Sequence, residues 1–249
     1  MCGITGAYRL FSAQPVPEEL VDRMCQQIVH RGPDDQGMFV SGSIGLGMRR
    51  LSIIDLVTGS QPIFNEDRTI CTVFNGEIYN FQSLRSDLIH RGHQFATQGD
   101  TEVIVHLYEE YGIDFVKKLN GMFAIAIWDG PKKKLTIVRD RLGQKPLYYA
   151  SIADGIYFGS ELKCLTACDS VPREIDHESV SHYFTLGYIP HPWSIYKTIR
   201  QLPPAGRLVA DGRSQTISID RYWQLDEEID YDQSREDASE ELLHLIEDS

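Results

Sequence analysis

Residues 122–140 read MFAIAIWDGPKKKLTIVRD, two apolar runs joined by Asp129-Gly130-Pro131. Asp-Gly-Pro is turn chemistry, so the flanking runs fold back on each other as an antiparallel hairpin. A chain that commits its most apolar stretch to a hairpin is not winding a parallel sheet through helical crossovers. Other strand-like segments surround it: GITGAYRL at the start, SIGLGM with Ile44, Leu46 and Met48 in alternation, TICTVFNGEIYN running into a polar turn, then PLYYA, IYFGSE and RLVADG.

Helical spacing occupies the gaps. PEELVDRMCQQIVHRG sets Leu20, Met24 and Ile28 on one face and is expected to stop at Gly32. NFQSLRSDLIHRG offers Asn80 as N-cap, Leu84 and Leu88 as a buried face, and Gly92 as terminator. DTEVIVHLYEEYG repeats the device, with Asp100 as the cap, Ile104, Leu107, Tyr108 and Tyr111 inside, and Gly112 at the end. Strands grouped in hairpins, with helices between the groups, define an α+β layered fold. Past Val171 the prolines at 190, 192, 203 and 204 mark a connecting region. SREDASEELLHLIEDS then starts a helix, with Ser234 and Asp237 spaced as a capping box. Its apolar face (Ala238, Leu242, Leu245, Ile246) needs a partner surface, so the chain is expected to be the front part of a longer protein.

The formal charge of −12 is concentrated at one end. Residues 226–249 hold 11 acids and one arginine, which leaves −2 for the rest. A nearly neutral body lacks the basic face that nucleic acid requires. No apolar run is long enough for a membrane span, and no secretory leader is recognisable. Five cysteines (2, 25, 71, 164, 168) without regular spacing fit neither a disulfide scaffold nor a zinc cluster, so a reducing cytoplasm is expected. GSIGLG lacks the lysine and spacing of a phosphate loop, and His90 and His93 have no cysteine or carboxylate cluster beside them in sequence, so no metal site is expected there.

Cys2 is open to two readings. It is a small buried hydrophobe, the ordinary fate of a free cysteine, or it is a nucleophile uncovered by removal of Met1. In the second reading its own α-amino group, with an ordinary pKa near 8, serves as the base that a thiol needs. Five further stretches follow MCGI in order: HRGPDDQG (30–37), RRLSIIDL (49–56), FNGEIYN (74–80), GDTE (99–102) and RDRLGQKPLYY (139–149). Together they resemble the glutaminase domain of class II glutamine amidotransferases, nearest to the N-terminal half of the glutamine-hydrolysing asparagine synthetases. The resemblance covers about residues 1–210. It implies that 211–249 are a connector and the start of a synthetase domain.

That resemblance implies a four-layer αββα sandwich of the N-terminal nucleophile hydrolase type. It implies hydrolysis of the glutamine side-chain amide through a Cys2 thioester, releasing ammonia for an ATP-dependent step, aspartate being the acceptor in asparagine synthesis. Asn75 and Gly76 would hold the oxyanion, Arg50 the substrate α-carboxylate and Asp100 its α-ammonium, with Glu77 lining the pocket. Arg31 would brace the loop around Cys2, with Pro33 stiffening it, and RDRLGQKPLYY would serve the fold and a domain interface rather than catalysis. No cofactor is expected in this chain; ATP and magnesium belong to the synthetase domain. A homodimer is left open. So are amidation of a different acceptor such as a sugar, a silent regulatory domain, and a hydrolase acting on other amides.

Overall fold

The computed structural model describes residues 2–52, 59–225 and 234–248. Its elements run β1 (Gly3–Tyr8), α1 (Glu18–Gln26), β2 (Asp35–Ser41), β3 (Ile44–Arg50), β4 (Ile63–Phe64), β5 (Ile70–Ile78), α2 (Phe81–His90) and α3 (Val103–Tyr111). A 3-10 turn over Gly112–Lys118 leads to β6 (Gly121–Asp129) and β7 (Lys134–Arg139). Then come β8 (Tyr148–Ile152), β9 (Gly155–Gly159), α4 (Leu162–Thr166), α5 (His177–Leu186), β10 (Ile199–Gln201), β11 (Gly206–Asp211), β12 (Thr216–Arg221) and α6 (Arg235–Asp248).

Two antiparallel sheets form, ordered β10-β8-β9-β1-β3-β2 and β12-β11-β7-β6-β5-β4. Strand periodicity explains how they stack. In β6, Ala124, Ala126 and Trp128 face the layer between the sheets, while Phe123, Ile125 and Ile127 face α3 and its neighbours. In β5, Cys71 and Val73 point inward and Ile70, Phe74 and Ile78 outward. The outer face of the first sheet is covered by α1 and α4 through Val21, Met24, Cys25, Cys164 and Leu165. The result is helices, sheet, sheet, helices, the expected αββα sandwich.

The hairpin of residues 122–140 forms in the expected register, from Ala124↔Arg139 to Asp129↔Lys134. Other expectations need correcting. The regular part of α1 ends at Gln26 rather than Gly32, because residues 27–32 tighten into i→i−3 turns that keep Ile28 buried. β5, by contrast, is as expected: it stays paired with β6 through Ile78↔Gly121 and runs into the turn at residues 79–80. Asn80 occupies the N-cap of α2, but its side chain bridges to Lys118 O and Asn120 N instead of capping. Asp100 does not cap α3, whose N-cap is Glu102. Strands β2, β4, β10 and β12 are additions to the sequence reading, and pairing in the second sheet continues past residue 210 through β11 and β12. At α6, the Asp237 N–H donates to Ser234 Oγ at 3.1 Å, as the capping spacing required, and Leu242, Leu245 and Ile246 lie exposed.

Candidate active site

The inner faces of the sheets end at the site. In β3, Ile44, Leu46 and Met48 point between the sheets, so the same alternation turns Arg50 inward. Ile4 of β1 does likewise, which carries Cys2 to the same side, where it packs against the inter-sheet core. In β5, Cys71 and Val73 point inward, and Asn75 is next in that row. Cys2, Arg50 and Asn75 therefore meet where the two sheets face each other, around a cavity of about 290 Å³ also lined by Gln61, Gly76, Glu77, Asp100, Thr101 and Lys145. All six residues expected from the sequence line this cavity. A larger hollow of about 830 Å³ lies between Arg141, Pro204 and Trp223, and among the described residues its lining holds no cysteine or carboxylate.

Cys2 is the half-buried thiol. The Leu51 N–H donates to its Sγ at 3.4 Å, and its carbonyl accepts from Arg31 Nε at 2.9 Å. Arg31 also reaches Glu161 Oε1 at 3.2 Å, so the expected brace around Cys2 is present. Gly32 allows that loop to sit on β3: a Cβ there would come within 2.3 Å of the Arg49 carbonyl carbon. The other four cysteines are free and fully buried. Burial pushes the thiols of Cys25, Cys71 and Cys168 up to about 12 and that of Cys164 to about 11. Met1, and residues 53–56 of the RRLSIIDL stretch, lie outside the described residues.

Two donors are directed at the thiol's cavity, the Asn75 side chain and the Gly76 backbone. Asn75 is 1% exposed, and its Nδ2 has no hydrogen-bond partner among the described residues. A buried donor left in that state costs about 1–3 kcal/mol, which an arriving ligand oxygen offsets. Gly76 contributes through its backbone. β4 covers β5 only at Cys71 and Thr72, so the later part of that edge is open. On it, Phe74 N–H donates to Gln61 Oε1 at 2.7 Å and Ile78 N–H to Asp100 Oδ2 at 3.0 Å. Strand alternation directs the Gly76 N–H to the same edge, between those two side chains. A Cβ at Gly76 would lie 2.1 Å from Met122 O, so only glycine fits.

Charges divide the lining. Arg50 and Lys145 are buried cations; Asp100 is a buried carboxylate, and Glu77 a half-buried one. Burial raises the Asp100 carboxyl above its usual range, and the Glu77 carboxylate adds to the rise against the bond from Ile78 N–H. A zwitterion with a carboxylate at one end and an ammonium at the other matches this arrangement.

Sequence reading assigned Lys145 to the fold and passed over Gln61 and Thr101. Lys145 sits inside a structural knot, in which Asp140 accepts N–H bonds from Phe123, Leu142, Gln144 and Lys145, and Arg139 donates to the carbonyls of Gly143, Lys145 and Leu202. The motif serves the fold and delivers a cation to the cavity as well. GSIGLG forms the β2–β3 hairpin rather than a loop before a helix, so it offers no phosphate cradle. His90 remains apart on α2, but His93 does not: Glu66, Glu109 and Glu110 are all brought against it.

Residues 1–223 match the family model described as "Glutamine amidotransferase domain", and the chain belongs to that family. It is 41% identical to asparagine synthetase [glutamine-hydrolyzing] 1 of Bacillus subtilis, over 83% of this chain and 33% of that protein. To asparagine synthetase [glutamine-hydrolyzing] 3 of the same organism it is 38% identical, over 100% of this chain and 41% of the relative. The chain thus spans well under half the length of these relatives. Among solved structures, glutamine phosphoribosylpyrophosphate amidotransferase from B. subtilis shares the fold with a TM-score of 0.64 at 18% identity, over 90% of this chain and 50% of that one.

Proposed function

We propose that this chain hydrolyses the side-chain amide of glutamine through Cys2 and supplies the ammonia to a synthetase domain that follows it. One observation carries the reading: the Asn75 Nδ2, without a hydrogen-bond partner among the described residues, lies in the same cavity as the half-buried Cys2 thiol. Once Met1 is removed, the Cys2 amine takes the thiol proton and the sulfur attacks the amide carbon. Asn75 Nδ2 and Gly76 N–H stabilise the oxyanion. The intermediate collapses, the amine returns its proton to the leaving nitrogen, and ammonia departs from a γ-glutamyl thioester. Water then cleaves the thioester to glutamate and restores the thiol.

Arg50 orients the substrate α-carboxylate and Asp100 the α-ammonium, with Glu77 alongside and Lys145 adding positive charge. Charge-assisted bonds of this kind select a free amino acid over an internal glutamine. The names of the relatives support aspartate as the ammonia acceptor, with ATP and magnesium bound outside this chain. Free thiols favour a reducing compartment such as the cytoplasm.

The test is glutaminase activity of the wild-type chain and the Cys2→Ala variant, with the N-terminal mass of each preparation. Glutamate release by wild type lacking Met1, and its loss in Cys2→Ala with an unchanged circular dichroism spectrum, is the expected result. Activity retained by Cys2→Ala, or by protein still carrying Met1, overturns the mechanism.

A further inference from the structure

Beside α3, four side chains from three segments converge. Glu66 comes from the turn between β4 and β5, His93 from the stretch after α2, and His106 and Glu109 from α3 itself. One ligand atom from each can be chosen so that all four lie within 4.8 Å of one another. His106 is fully buried, in the middle of an otherwise apolar face.

One of the contacts is a hydrogen bond, between His106 Nδ1 and Glu109 Oε2, and the others are longer. His106 Nδ1 is 3.0 Å from Glu109 Oε2 and 3.6 Å from Glu66 Oε2. His93 Nδ1 is 3.6 Å from Glu109 Oε2 and 3.7 Å from Glu66 Oε1. Three of these four separations exceed hydrogen-bond length. A tetrahedral cation with bonds of about 2.1 Å spaces its ligand atoms about 3.4 Å apart; His106 Nδ1 lies 3.0 Å from Glu109 Oε2 and 3.6 Å from Glu66 Oε2, and His93 Nδ1 3.6 Å from Glu109 Oε2. The Gln94 N–H holds Glu66 Oε1 at 2.9 Å, which leaves Oε2 for the centre.

The outward nitrogens supply a second, independent observation. His93 Nε2 lies 3.2 Å from Glu110 Oε1. His106 Nε2 is buried without a hydrogen-bond partner among the described residues, and Glu102 Oε1 lies 3.8 Å away. Each imidazole thus turns Nδ1 to the centre and Nε2 to a carboxylate, the arrangement by which metal-bound histidines are oriented. Two neutral imidazoles and two carboxylates suit zinc among the divalent cations.

We propose that Glu66, His93, His106 and Glu109 bind a zinc ion in a closed, four-coordinate structural site. The ion ties the β4–β5 turn and the segment after α2 to α3. Its outer carboxylate Glu102 also accepts the N–H groups of Ala96 and Thr97, and so anchors the loop that leads to Asp100. The inference is independent of the proposed hydrolysis.

The test uses the full chain in a Cys2→Ala background, so that the thiol cannot serve as a ligand. Protein stripped with a chelator is titrated with zinc, and separately with cobalt as a spectroscopic probe. The expected results are one zinc per chain by elemental analysis, a rise in melting temperature with zinc, and a tetrahedral cobalt spectrum. Glu109→Gln and Glu66→Gln, both at partly exposed positions, should lose most of the binding, and Glu110→Gln should weaken it about tenfold. No zinc retained against dialysis, or equal retention by the Glu66→Gln/Glu109→Gln double variant, overturns the proposal.

Discussion

A single amide nitrogen shows how sequence position becomes chemistry. Asn75 is polar in a row otherwise occupied by Cys71 and Val73, and its donor is held ready where burial makes an unused donor costly. Asn75→Ala should therefore lower kcat by about 10²–10³-fold, with a smaller change in KM, as removal of one oxyanion donor does elsewhere; steady-state glutaminase kinetics measure it. Asp100 makes the opposite compromise. Its carboxyl is raised by burial, so ionisation opposes folding as pH rises, yet the ionised form is the one that meets an ammonium. The KM for glutamine should rise on acidification, beginning above the ordinary carboxylate range, in a series measured at constant ionic strength. Asp100→Asn should raise KM about 10–100-fold, the worth of a charge-assisted bond, while its melting temperature at neutral pH does not fall.

Elements place these residues through local features of uneven visibility. Asp140 shows one clearly: its carboxylate gathers four backbone N–H groups, and a fifth link runs from Ala205 N–H to the Asp140 carbonyl. Asp140→Ala should destabilise the fold by about 2–4 kcal/mol, since several buried donors lose a charged acceptor, and thermal melts would record it. Such a knot is legible in sequence only as a run of charged residues near Gly143. The β6–β7 hairpin was legible because turn chemistry and apolar alternation agree at Asp129–Lys134. β2, by contrast, is half-buried at every position from Asp35 to Val40 and carries little period-two signal. Asp100 looked like a helix cap because a carboxylate ahead of an apolar run is ambiguous; the open edge of β5 decided the matter by offering Ile78 N–H to it.

At the scale of the molecule, the site exists only because two sheets stack. Cys2 and Arg50 belong to one, Asn75 and Gly76 to the other, and no local sequence signal records that they face each other. The motifs reached these cavity-lining residues through family likeness, whereas the gathering of Glu66 and Glu109 around His93 depends on tertiary packing between segments far apart in the chain.

The seclusion of four thiols has a practical result. Brief treatment with an alkylating reagent at neutral pH should add one adduct per folded chain, on residue 2, because the remaining sulfurs are both shielded and protonated. The mass increment counts folded molecules whose residue 2 carries a free thiol. Further adducts, arriving only as denaturant opens the sandwich, would turn the same reagent into a gauge of unfolding.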